Sequence, residues 1–330
     1  MRTAFIDTLL DLARRDPRIV LITGDLGFGV VERFKQELPA QFVNAGVAEQ
    51  NMTGLAAGMA LSGKTVFTYS IANFPVVRCL EQIRNDVCYH NASVKIVAVG
   101  GGFAYGALGY SHHAVEDIAF MRALPAMTVV APNDPVEAEL ATRAVATLPG
   151  PCYLRLGRVG EPRVHESLPE FSLGRAITMR DGRHVAILAT GGLLATALAA
   201  ADALARFGIS ARVLSVHTIK PLDVVAVLQA VTDTDALVTL EEHSIIGGLG
   251  GAVAEVVLEA AVRPRLFKRI GVADGRLAVV GDRDYLRACA GLDVQSVTST
   301  IRELLRHGRE SEATLETVAA TSRGSRFRAT

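Results

Sequence analysis

Short apolar, β-rich runs alternate with stretches of helical periodicity along most of the chain, and this alternation limits the folds open to it. RIVLITG (18–24), TVFTYS (65–70), VKIVAVGGG (94–102) and MTVVAPND (127–134) are short β-rich runs with mostly apolar centres, as strands buried on both faces have. Helical patterns separate them, over 75–91 and 135–147. Strands joined by helical crossovers form a parallel sheet covered on both faces. In PNDPVEAELATRAV the helix start is explicit: Asp134 is the expected N-cap, Pro135 takes the first helical position, and Glu137 follows three residues past the cap.

After CYLRLGR (152–158), the stretch 159–183 is rich in Pro, Glu, Ser and Arg and lacks a long period, so a linker is expected over 161–183. The pattern then restarts with HVAILAT (184–190), a helix through Ala205, SARVLSVHT (210–218), ALVTLEEH (236–243), a helix from about 251 to 261, and FKRIGVAD (267–274). The expected fold class is α/β, with two domains, 1–160 and 184–307, each a mostly parallel sheet with helices on both faces. Residues 308–330 have low hydrophobicity and no apolar period, and a flexible tail is expected there.

Lys plus Arg and Asp plus Glu each total 34 in 330 residues, so no net field recruits nucleic acid or an acidic membrane. Function must lie in local sites. Cys79, Cys88, Cys152 and Cys289 form no CxxC, and no cleavable apolar segment follows Met1, which reads as a reduced, cytoplasmic protein. The apolar stretch 185–201 is broken by Gly191-Gly192 and threonines, so no membrane span is expected.

GDLGFGVVE (24–32) places Glu32 where GxGxxG needs its last glycine, and no GxxxxGK[ST] occurs. Most glycines read as tight turns. Adjacent His112 and His113 diverge on any regular backbone, no HExxH is present, and no metal site is expected in this chain. A histidine after a glycine-rich turn at a strand's carboxyl end does sit where α/β folds place chemistry, and His112 is favoured over His113.

Glu49 opens an otherwise apolar helical run, EQNMTGLAAGMAL. A first-turn glutamate complementing the helix dipole is the bland reading. Against it, the strand-like QFVNAG delivers the acid to a helix with little polar surface. Burial there would raise its proton affinity, as acid/base work near neutral pH requires.

NAGVAEQNMTGLAAGMALSGK, EQIRND, SHHAVEDIAFMRALPAMTVVAPNDPVEA, YLRLGR, TIKPLD and EEHSIIGGLGGAVAE together resemble the C-terminal half of transketolases and their relatives, in order over about residues 1–305. The resemblance implies a pyrimidine-binding domain followed by a transketolase C-terminal domain. Thiamine diphosphate would be the cofactor, its diphosphate and Mg²⁺ held by a separate N-terminal subunit, with two copies of each (α2β2). Glu49 then matches the glutamate that hydrogen-bonds N1′ of the aminopyrimidine and favours its 4′-imino form. Phe74 falls near the aromatic pocket on the pyrimidine, with Ile71 where a second aromatic is common. His112 matches the histidine of a THQ or SHQ motif facing substrate. Arg158 matches an arginine for phosphate or carboxylate, and Arg155 would share its strand face.

Leu108 stands where transketolases acting on sugar phosphates usually carry an acid, glycines 100–102 replace a histidine, and a phosphate-binding serine is missing from GDLGFGVVERF. These departures imply a specialised ketol transfer from a ketose donor to an aldehyde-like acceptor rather than ordinary pentose-phosphate exchange. The rival readings are the β subunit of an E1-type 2-oxoacid decarboxylase and a catalytically silent partner-binding half.

Overall fold

The computed structural model describes residues 1–158, 160–275, 279–308 and 310. Twelve strands are named among them: β1 (Ile19–Thr23), β2 (Phe42–Asn44), β3 (Thr65–Ile71), β4 (Val94–Val99), β5 (Thr128–Val130), β6 (Cys152–Leu156), β7 (Ile177–Arg180), β8 (Val185–Thr190), β9 (Ala211–Ser215), β10 (Thr218–Lys220), β11 (Ala236–Ser244) and β12 (Leu266–Val272). They form a seven-stranded sheet, ordered β10-β5-β6-β4-β3-β1-β2, and a five-stranded sheet, ordered β12-β11-β8-β9-β7. The pairings among these strands are parallel except those of the edge strands β10 and β7.

The two-residue period of each strand sorts its side chains between two cores. In β1, Val20 and Ile22 face the helix Glu49–Leu61, through Met52, Ala56 and Ala57. Leu21 faces the opposite way, toward Phe5, Leu9 and Leu10 of the helix Arg2–Ala13 and Ala138 and Ala141 of the helix Pro135–Thr147. The second sheet repeats the arrangement. Ile187 of β8 meets Ala197 and Ala201 of the helix Leu194–Ala205, while Leu188 meets Val253 and Val257 of the helix Leu249–Glu259.

Three expectations change. The stretch 161–183 is not wholly linker, because Ile177–Arg180 pairs antiparallel with β9 and closes the edge of the second sheet. The helix expected over 75–91 is broken into Asn73–Val76, Leu80–Gln82 and a π-helical turn Ile83–Cys88, with residues 77–79 in a turn between the first two. The strand expected over 94–102 stops at Val99, where Gly100 (φ 91°) turns the chain. Helical residues 294–308 reach the first residue of the expected tail, residue 310 is also helical, and the rest of the tail, 311–330, lies outside the described residues.

The second domain also lends β10 to the first sheet, antiparallel to β5. Lys220, at the end of β10, donates to the carbonyls of Arg122 (3.0 Å) and Leu124 (2.5 Å) at the C-terminus of the helix Asp117–Ala123. A cation at orphan helix carbonyls is a favourable arrangement. No helix among the described residues is long and apolar enough to cross a membrane.

Candidate active site

The loops after β1, β2, β3, β4 and β6 leave the same carboxyl edge of the first sheet, where open parallel sheets bind ligands. Glu49 follows β2 and opens its helix. No side chain among the described residues caps that helix start, and the Glu49 carboxylate is 2% exposed. The desolvation expected of this acid is present. A partner that sequence reasoning missed is also present: Arg78, in the turn at 77–79, donates from Nη1 to Glu49 Oε2 across 2.8 Å. The Arg78 side chain is 50% exposed, and its guanidinium lies 5.5 Å from the centroid of the Phe74 ring.

Phe74 and Arg78 line a cavity of about 420 Å³ whose wall also carries Val77, Tyr110, Glu116 and Phe120. Burial raises the Glu116 carboxyl above its ordinary range, against a hydrogen bond from the Tyr110 hydroxyl at 3.3 Å. Ile71, half-buried, ends β3 three residues before Phe74.

His112 is half-buried in the turn Tyr110–His112, edge-on to Phe74 at 5.2 Å, and its Nδ1 lies 3.0 Å from the Ser111 hydroxyl. His113 points into the protein, 1% exposed against Phe103, with Nε2 3.2 Å from the Gly106 carbonyl. The structure thus brings Glu49, Arg78, Phe74 and His112 into one chain of contacts. Tyr105 extends it, 6.3 Å from the His112 ring and with Arg158 stacked over it at 4.9 Å.

Tyr105 was not among the residues that the sequence singled out. Burial raises the Tyr105 phenol, while the charges of Arg158 and Arg2 oppose that rise. Arg2 Nε is buried without a hydrogen-bond partner among the described residues.

Arg155 is a correction. It is 2% exposed and bound by Nε to Asp117 (2.7 Å) and by Nη2 to the carbonyls of Ala114 (2.8 Å) and Glu242 (3.0 Å), so it is not free to hold substrate. β6 ends at Leu156, so the common strand face expected of Arg155 and Arg158 does not extend to Arg158.

The glycine run has the same physical origin. A Cβ at Gly100 would collide with the Tyr105 ring, one at Gly101 with the Arg155 guanidinium, and one at Gly102 with the Glu242 carboxylate. Glu242 reaches in from β11 to accept the Phe103 amide at 2.7 Å. Burial alone would raise its carboxyl, but Arg283 and Arg287 hold it at about 2. Leu108 is exposed beside this loop.

Two family descriptions match the chain: "Transketolase, pyrimidine binding domain" over residues 1–160 and "Transketolase, C-terminal domain" over residues 174–297. An apulose-4-phosphate transketolase subunit of Phocaeicola vulgatus is 42% identical over 307 residues, covering 92% of this chain and 97% of that one. A 6-deoxy-6-sulfo-D-fructose transketolase subunit of a Clostridium species is 40% identical over 305 residues, covering 92% and 94%. Among solved structures, a split-gene transketolase described as an inactive beta4 tetramer superimposes with a TM-score of 0.83 at 38% identity, covering 92% of this chain and 97% of that one. The buried glutamate and its aromatic neighbour therefore sit in a known architecture, and the chain belongs to the transketolase family, as its pyrimidine-binding and C-terminal domains.

Proposed function

We propose that this chain is the C-terminal (β) subunit of a split transketolase that uses thiamine diphosphate and moves a two-carbon ketol unit from a ketose donor to an aldehyde acceptor. The observation that carries this reading is the Glu49 carboxylate, shielded from water and linked through one guanidinium to the face of Phe74. Those groups fit an aminopyrimidine, a flat ring with N–H groups on its edge: the carboxylate accepts at N1′ and the aromatic ring packs on its face. When bound, thiamine diphosphate supplies the carbanion that cleaves and forms the carbon–carbon bond.

The chain's own residues do the rest. Glu49 holds the N1′ proton in a site where water does not compete for it. Phe74, with Ile71 at the strand end, sets the plane of the ring. His112 lies edge-on to Phe74 and would exchange a proton with a substrate oxygen. Arg158, over the Tyr105 ring, holds an anionic end of the donor. The relatives are named for a sugar phosphate and a sulfo-sugar, which supports a donor with an anionic terminus in a specialised reaction.

The diphosphate and Mg²⁺ are assigned to an N-terminal subunit in an α2β2 assembly. Two relatives of nearly the same extent are themselves named subunits, which supports that division. Val47, Leu55, Leu61 and Val77 are exposed around the Glu49 helix and the following turn, an apolar face suited to a partner chain. The relatives favour ketol transfer over the E1-type reading.

Mixing this chain with its N-terminal partner, thiamine diphosphate and Mg²⁺ tests the assignment. Cleavage of a phosphorylated or sulfonated ketose that needs both chains supports it. Carbon dioxide release from a 2-oxo acid without ketose cleavage transfers the assignment to the E1-type reaction.

A further inference from the structure

Glu49 and Phe74 are the two groups that the aminopyrimidine would need, and Arg78 is already on both. Its Nη1 is 2.8 Å from Glu49 Oε2, and its guanidinium carbon is 5.5 Å from the Phe74 centroid. A guanidinium is flat, delocalised and rich in N–H donors, so it satisfies a buried carboxylate and an aromatic face much as a protonated pyrimidine edge does. We propose that Arg78 is an internal placeholder for the cofactor ring, occupying the acceptor and the aromatic face in the free chain and surrendering both when the ring seats. The proposal rests on the thiamine diphosphate reading above.

The surroundings suit a side chain with two positions. Arg78 lies in the turn at 77–79, between the short helices Asn73–Val76 and Leu80–Gln82, and is 50% exposed, so rotating it away disrupts no helix and little packing. The adjoining cavity of about 420 Å³ gives the guanidinium room, and Glu116 on its wall supplies a second carboxylate. Occupying Glu49 also has a reason. A carboxylate 2% exposed and left unpaired would be a costly buried charge until cofactor arrives. The placeholder keeps the empty site folded and lowers the fraction of molecules ready for the ring, which weakens apparent cofactor affinity by that fraction.

Calorimetric titration of thiamine diphosphate with Mg²⁺ into the reconstituted two-subunit enzyme tests this, together with stopped-flow measurement of the association rate. Arg78→Met should bind about tenfold more tightly than wild type, with the gain in association, because the ring no longer waits for the guanidinium to leave. Arg78→Lys keeps the charge but loses the flat stack and should fall between the two. Unchanged or weaker binding in Arg78→Met, with normal binding by wild type, overturns the placeholder and makes Arg78 a bystander or a direct cofactor ligand. If Arg78→Met does not assemble, the Lys variant decides by the same sign. A wild-type complex that binds no thiamine diphosphate overturns the functional reading, and the placeholder with it.

Discussion

Arg155 on β6 and Asp117 at the head of the helix Asp117–Ala123 form an ion pair of 2.7 Å in which both side chains are at most 2% exposed. Burial works against the Arg155 charge, yet Asp117 outweighs it and holds the guanidinium protonated. The same guanidinium reaches the Glu242 carbonyl in the second domain, and Asp117 also accepts the Tyr153 hydroxyl at 2.5 Å. Breaking a buried pair strands a charge. Asp117→Asn should therefore lower stability by about 3–5 kcal/mol in chemical denaturation, and Arg155→Met by a comparable amount. A higher KM at unchanged stability in Arg155→Met would instead give Arg155 a substrate role.

Arg158 is exposed and stacked only on the rim of the site, over Tyr105. Arg158→Leu should leave the melting temperature unchanged and raise KM for an anionic donor by roughly 10–100-fold, with a smaller effect on kcat. Donors lacking the anionic group should be indifferent to the change, as steady-state kinetics on paired substrates would reveal.

Glu49→Gln preserves volume but removes the carboxylate. If Glu49 holds the N1′ proton, kcat for ketol transfer should fall by about 10²–10⁴-fold, the range for a positioned acid/base group. Circular dichroism should show an intact fold, and full activity in the variant would return Glu49 to a helix-end role.

His243 is fully buried. Burial is the largest reason its imidazole is pushed down to about 4; Asp117 opposes that shift and Arg155 adds to it. Its Nδ1 is 2.7 Å from the Ser244 carbonyl and its Nε2 takes the Ala119 amide at 3.4 Å, an arrangement that suits the neutral ring. A folded pKa below the unfolded value of about 6.5 means the unfolded chain binds the proton first. The stabilisation is complete above pH about 6.5 and is lost as pH falls toward 4, on the order of 3 kcal/mol in all. Denaturation across that window should be flatter in His243→Gln than in wild type.

Asp134 does two jobs. Its Oδ1 caps the helix Pro135–Thr147 by accepting the Glu137 amide at 2.8 Å, and its Oδ2 accepts the amides of Val164 (2.9 Å) and His165 (3.1 Å). Asp134→Ala should therefore cost more than the ~1 kcal/mol of an isolated cap, and denaturant titration would expose the excess.

The cap was legible because capping is a conversation between residues three apart, written in PNDPVEA. The same locality made the strand and helix order readable: a period of two or 3.6 is a property of neighbouring positions, and it survives folding unchanged. The order of motifs along the chain also carried the family. What the tertiary structure decided were pairings across elements. Arg78 meets Glu49 across 29 positions, Arg155 is diverted by Asp117 and Glu242, and β10 crosses to the other domain's sheet. Each depends on where two distant elements come to rest, and a buried charge takes whichever partner the packing brings within about 3 Å. Sequence determined the local elements and marked candidates such as Glu49, Phe74 and His112; only the fold determined which partners each of them meets.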